Sequence, residues 1–172
     1  MQKRALIVTV CFAAAIAPFA ALRALGVWVN LSSSMEPGIY REHPLEIPQR
    51  GQRVLACLPV PFAILGLERG YLAPGNCPGG AAPAGKRIAG VPGDRVEISG
   101  RGIRVNGLML EQSAPLKRDG AGRALEGAHF SGILNDGQYV LKGRGTSSFD
   151  SRYFGAVPRE DLIAAIEPLY FF

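Results

Sequence analysis

Histidine is scarce in this chain: there are two among 172 residues. His43 sits in "REHPLEIP" and His129 in "GAHFSG", both turn-like contexts with no GxSxG-type nucleophile signature beside them. A Ser–His–Asp triad, which needs a histidine oriented by a carboxylate, therefore has little to build on. Cysteine is also sparse, with three residues and no CxxC pair, which argues against a thiolate metal site or a dithiol redox motif. No metal is expected. Aromatic residues make up 8% of the chain, and none interleave with a basic cluster. The net charge of +5 is dispersed, so nucleic acid is not an expected partner. Attraction to anionic lipid headgroups accounts for the sign more simply. No internal repeat is visible.

What the chain does have begins at its N-terminus. "MQKR" is basic, and Ala5 to Leu22 runs without a charge. As a helix this would measure about 27 Å, close to the thickness of a bilayer's hydrocarbon core. Lys3 and Arg4 favour a cytoplasmic N-terminus, with Arg23 partly offsetting that bias. Pro18 and the small residues around Ala13 to Ala21 leave a cleaved leader open as well as a retained anchor, and a buried core helix is the bland alternative. The division expected is a signal or anchor segment over 1–29 and one exported domain over 30–172.

Glycine (22) and proline (13) are abundant but separated by apolar runs, a pattern of short strands joined by turns. "QRGQRVLACL" predicts a turn into a strand at about Arg53 to Leu58. Residues 59–84, with five prolines, read as loop. "RVEIS" and "GIRVNG" around "SGRG" predict a β-hairpin, and "GQYVLKG" another strand. "PREDLIAAIEPLYFF" suggests a helical turn leading into an edge strand. "VPGD" reads as a turn, with Asp94 as a structural cap. Cys57 and Cys77 flank the proline-rich stretch; in an oxidising compartment they could close it as a disulfide, in a reducing one they would be free thiols. Cys11 reads as a small hydrophobe in the leader. The fold class expected is mainly β.

"NLSSSMEPGIY" (30–40) raises the question of chemistry. A serine hydroxyl is a poor nucleophile at neutral pH unless a base takes its proton. With histidine scarce, lysine is the remaining base. An exposed lysine, with a pKa near ~10.4, is charged and useless for this, whereas burial among apolar atoms lowers the pKa by penalising the ammonium form. Lys3, Lys117 and Lys142 stand in charged or turn-like contexts. Lys86 differs, because "AAPAGKRIAGVPGD" surrounds it with alanines, glycines and Ile88. Lys86 is the best candidate base by chemistry alone.

"SSSMEP", "GKRIAGVPGD" and "SSFDSRYFG", in this order behind a hydrophobic leader, resemble the three motif boxes of the signal-peptidase family of serine/lysine proteases. The boxes cover about thirty residues. The resemblance implies a β domain of antiparallel sheets behind an N-terminal hydrophobic helix, with Ser34 as nucleophile and Lys86 as general base. It gives Ser32 the hydroxyl that joins a backbone N–H in an oxyanion hole, leaving Ser33 as a spacer. Ser148 matches the serine that holds the lysine amine. Asp150 and Arg152 match a carboxylate–guanidinium pair fixing the third loop, with Asp150 also able to assist the lysine or orient an incoming amine. Two departures from housekeeping members stand out. "GRGTSS" replaces Gly-Asp-Asn-Arg before the third-box serine, and Gly38 stands where threonine is usual. "SMEPGIY" and "SFDSRYFG" look closer to the conjugal-transfer branch of the family, whose short members carry a cysteine-containing loop before the lysine.

That branch implies maturation of a pilin precursor at the periplasmic face of the bacterial inner membrane. Its acyl-enzyme can be resolved by the substrate's own amine, giving a cyclic product, and it needs no cofactor. A general type I signal peptidase acting on exported preproteins is the nearer rival. A non-catalytic β-rich component of a transfer apparatus is the more distant one, and it predicts an exposed, protonated Lys86.

Overall fold

The computed structural model describes Leu22 and residues 25–172. The uncharged stretch from Ala5 falls almost wholly outside these residues, and no helix among the described residues is long and apolar enough to cross a membrane. Among the described residues eleven strands, named β1 to β11 in chain order, build two antiparallel sheets. β1 (Val27–Asn30), β2 (Gly38–His43), β3 (Arg53–Ala56), β4 (Ala84–Gly90), β9 (Gln138–Lys142), β10 (Val157–Pro158) and β11 (Leu162–Phe171) form a seven-stranded sheet in the order β1-β2-β11-β3-β4-β9-β10. β5 (Arg95–Ser99), β6 (Gly102–Val105), β7 (Leu108–Met109) and β8 (Phe130–Ile133) form a four-stranded sheet in the order β7-β6-β5-β8. The fold is mainly β, as the spacing of turns and apolar runs predicts. β1 takes in Val27 to Val29, residues that the sequence alone groups with the leader.

The hairpin expected around "SGRG" is β5–β6, with Val96 opposite Val105 and Ile98 opposite Ile103. Val96, Ile98, Ile103 and Val105 all point inward with Leu134 and Val140, so alternation with period two decides which face is core. The "VPGD" turn ahead of it is closed by the Asp94 carboxylate, which accepts from the Val91 N–H and from Asn106 Nδ2, both at 2.8 Å. Burial alone would raise the pKa of this carboxyl, but these donors and Arg50, at 2.5 Å, hold it below the usual range.

Two expectations need correction. Residues 59–84 are not all loop, because Val60–Glu68 form a helix, α1. Its prolines, Pro59 at the cap and Pro61 in the first turn, occupy positions whose N–H groups would have no intrahelical partner anyway. Ala63 is buried, and Phe62 and Leu65 pack on the main core with Phe149 and Phe154. The second correction concerns β11. A 3-10 turn over Arg159–Asp161 does lead into it, but the strand lies between β2 and β3 inside the large sheet, not at an edge. Its alanines, Ala164 and Ala165, are buried there.

Cys57 and Cys77 are joined in a disulfide with 20 residues of separation that encloses α1. In the chain-entropy account, closing a loop of this length contributes about 3 kcal/mol. Gly38 has a steric cause. A Cβ at this position would overlap the carbonyl oxygen of Tyr170 on β11, so a threonine cannot fit while β2 and β11 keep this pairing.

Candidate active site

The serine loop leaves β1 at Asn30 and returns to the sheet at Gly38 on β2. Asn30 is buried, and its side chain organises the loop. Its Nδ2 donates to the carbonyl oxygens of Ser32 (3.1 Å), Met35 (3.3 Å) and Glu36 (3.1 Å). Its Oδ1 accepts from the Ser32 N–H (3.1 Å) and the Ser32 hydroxyl (2.7 Å). Met35 anchors the other end of the loop, packing into a cluster with Tyr40, Leu55, Ile166 and Trp28. Tyr40 adds a hydrogen bond from its hydroxyl to the Glu36 carbonyl at 2.7 Å. Between these fixed points Ser34 is half-buried, and its carbonyl accepts from the Arg144 N–H at 2.6 Å.

Lys86 is the third residue of β4 and is 2% exposed. Gly85 before it is required by close approach. A Cβ there would sit 2.7 Å from the Met35 methyl and 2.9 Å from the Trp28 ring, so the absence of a side chain lets the serine loop's anchor pack directly on the lysine's strand. Burial pushes the Lys86 ammonium down to a pKa of about 8. Asp150 opposes that shift, while Arg152 and Lys142 reinforce it. Asp150 counts for less than a lone buried carboxylate would, because its charge is already committed. Arg152 grips it through two bonds, Nε to Oδ1 at 2.8 Å and an Nη to Oδ2 at 2.9 Å, and both side chains are fully buried. The Gly143 N–H adds a third donor at 2.8 Å. The rest of the guanidinium bonds to the carbonyls of Thr146 and Gly145, so one arginine ties down the whole turn after β9.

Ser32, Ser33, Ser34 and Lys86 line one cleft of about 690 Å³. Ala73, Ala82, Ala84 and Gly85 contribute small walls, and Arg69, Tyr71, Asp119 and Arg123 line it too. Asp119 is held well below the usual carboxylate range by the Tyr71 hydroxyl first and then by Arg123 and backbone donors. Ser148 does not line this cleft. Its hydroxyl is buried, has no hydrogen-bond partner among the described residues, and packs against Gly143, near the Ser34 carbonyl. His43 ends β2 and faces Glu167 at 3.6 Å, and neither His43 nor His129 lines the cleft. Among the described residues no group of acidic, histidine or cysteine side chains is arranged to hold a metal.

Sequence reasoning missed Asn30, although an asparagine two residues before a serine is the spacing of a side chain that folds back on the backbone. Replacing Asn30 with Ala is expected to lower kcat about 10- to 100-fold with KM within about twofold, because the loop's order rather than its apolar contacts is lost. Steady-state kinetics on the purified protein check the split.

Residues 3–171 match the family model described as signal peptidase, peptidase S26. The chain belongs to the S26 signal-peptidase family. A conjugal transfer protein TraF of Agrobacterium fabrum is 36% identical over 177 aligned residues, covering 100% of this chain and 99% of that protein. A plasmid transfer protein TraF of Escherichia coli is 37% identical over 147 residues, covering 84% and 82%. A probable signal peptidase I-2 of Synechocystis is 38% identical over 81 residues, 45% of this chain and 34% of its own. Among solved structures, a signal peptidase I from Enterococcus faecalis aligns with TM-score 0.41 at 23% identity, covering 70% of this chain and 97% of that one. S26 membership implies serine peptidase chemistry.

Proposed function

We propose that this S26 protein is a membrane-associated serine endopeptidase that matures a pilin precursor for plasmid conjugative transfer. The observation that carries the reading is a nearly fully buried lysine with its pKa lowered to about 8, sharing a cleft with Ser34. Ser34 Oγ attacks the scissile carbonyl carbon while Lys86 Nζ takes the hydroxyl proton. Collapse of the tetrahedral intermediate breaks the C–N bond, and Lys86 returns the proton to the departing amine. Water then attacks the ester carbon, giving a proton to Lys86. Collapse breaks the C–O bond to Ser34, whose Oγ takes that proton back from Lys86, and the released acid ionises to a carboxylate. If the substrate's own amine attacks instead, the product is a ring. Ser32 would steady the oxyanion together with backbone N–H groups. Its one hydroxyl proton goes to Asn30 in the free enzyme, so this role needs a rotation away from that partner.

The relatives named for conjugal and plasmid transfer, aligned over most of their length, favour a conjugation substrate over the general preproteins of a housekeeping enzyme. Exposed apolar side chains support membrane association at the periplasmic face. Leu25 and Leu31, at 70% and 79% exposed, flank β1, while Tyr170 and Phe172 stand at the end of β11 on the other side of β2. The non-catalytic alternative requires an exposed Lys86, and the lysine's burial weighs against it.

Mass spectrometry of a pilin precursor and of a generic preprotein after incubation with the enzyme tests the reading. Cleavage of the pilin alone is expected, and a product lighter by one water than the linear cleaved peptide would mark ring closure. Processing of the generic preprotein with equal efficiency would favour the housekeeping alternative.

A further inference from the structure

Ser34 borders a second cleft, of about 490 Å³, that shares neither Lys86 nor Ser32 with the first. An extended peptide attacked at Ser34 must run away from it in both directions, at roughly 3.3 Å per residue. The half that stays esterified has to remain beside Lys86 and Ser32 through the second step, which suits the larger cleft. The half that leaves then falls to the smaller one.

The chemistry of the second cleft is different. Leu108 and Leu110 give it apolar surface, and Arg50, Arg87, Lys142 and Arg144 bring four cations. Two of these are neutralised, Arg50 by Asp94 at 2.5 Å and Arg87 by Glu36 at 3.0 Å. The other two lie at the end of β9 and just beyond it. Lys142 donates only to the carbonyls of Gly143 (2.5 Å) and Gly145 (3.4 Å), and among the described residues no carboxylate lies within ion-pair distance of Lys142 or Arg144. Asp150, which acts on Lys142 through space, has its oxygens held by Arg152 and Gly143. Glu111 is the acid on this cleft's lining that forms no ion pair among the described residues, and it is exposed. This end of the cleft abuts the reaction centre, since the Arg144 main-chain N–H donates to the Ser34 carbonyl and Arg144 and Ser34 both line the cleft.

We propose that this cleft is the leaving-segment subsite, and that Lys142 and Arg144 select a carboxylate in the part of the substrate released by cleavage. The inference rests on the assignment of Ser34 and Lys86. The carboxylate can be an acidic side chain or the chain's own C-terminus, and the test separates the two. Three peptides share one acyl half. The first leaving segment carries Glu and an amidated end, the second Gln and a free end, and the third Gln and an amidated end. The expected result is a kcat/KM about five- to tenfold higher for the first or second peptide than for the third, shrinking as salt is raised. The ratio should fall toward one in Arg144→Gln and in Lys142→Met. Equal rates on all three peptides, or a preference that survives in both variants, would overturn the subsite while leaving the dyad standing. Failure of the wild-type protein to cut any of them would instead sink the dyad, and this inference with it.

Discussion

Ser34→Ala is expected to reduce kcat at least about 10,000-fold and Lys86→Met at least about 1,000-fold, with substrate binding largely retained. The serine loses the atom that forms the acyl bond; the lysine variant loses the acceptor for its proton. A lysine with its pKa at about 8 is mostly charged at pH 7 and mostly neutral at pH 9. The wild-type kcat/KM should therefore climb about tenfold per pH unit below 8 and level off above it. A flat profile from pH 6 to 9 would show that Lys86 is not the base. Stability supplies an independent readout. The unfolded chain holds the Lys86 proton up to about pH 10.5, while the folded site releases it above about 8. Between those values the unfolded state binds more protons, so this residue's contribution to stability rises with pH. Below pH 8 both states are charged, and the full burial penalty of about 3 kcal/mol is present. Lys86→Met removes that penalty, so at pH 7 the inactive variant should melt above the wild type, with the gap closing as pH approaches 10.5. An inactive variant that melts lower would indicate a structural lysine. Thermal unfolding followed by circular dichroism across that range is the measurement.

The parts of this molecule that are legible from residues alone are those whose meaning is local. A lysine among small apolar neighbours is set up for burial, and "AGKRIAG" announces this within seven letters. The β5–β6 hairpin is set by its own alternation and turn. The illegible parts depend on partners far along the chain. α1 hides behind prolines that look like loop residues until the first-turn positions are known. β11 looks like a terminal edge strand because its end is rich in exposed aromatics, yet β2 and β3 flank it from more than a hundred residues away. Gly38 appears as a departure in a motif, and only the Tyr170 carbonyl explains it. The second cleft is assembled from residues near 36, 50, 87, 108 and 142–144, a grouping that no short window contains. Lys142 reads as a turn lysine for the same reason.

Arg152→Met is expected to be the most destabilising single change near the site. The Asp150–Arg152 pair has no solvent access on either side chain, so removing the guanidinium strands a carboxylate and also frees the carbonyls of Gly145 and Thr146. Breaking one partner of a buried pair costs about 3 to 5 kcal/mol, which for a domain of this size lowers the melting temperature by roughly 10 °C or more. The consequence reaches the chemistry through charge. Asp150 raises the Lys86 pKa and Arg152 lowers it, so an Asp150 left without its arginine strengthens the hold on the Lys86 proton. Any residual activity should then appear at higher pH than in the wild type. The double variant Asp150→Asn/Arg152→Met separates the two effects. With no stranded charge, it should regain a large part of the lost stability and return the pH midpoint toward 8. Losses that simply add in the double variant would mean that the residues act through packing alone. A midpoint unmoved in Arg152→Met would mean that this buried pair does not set the state of the lysine.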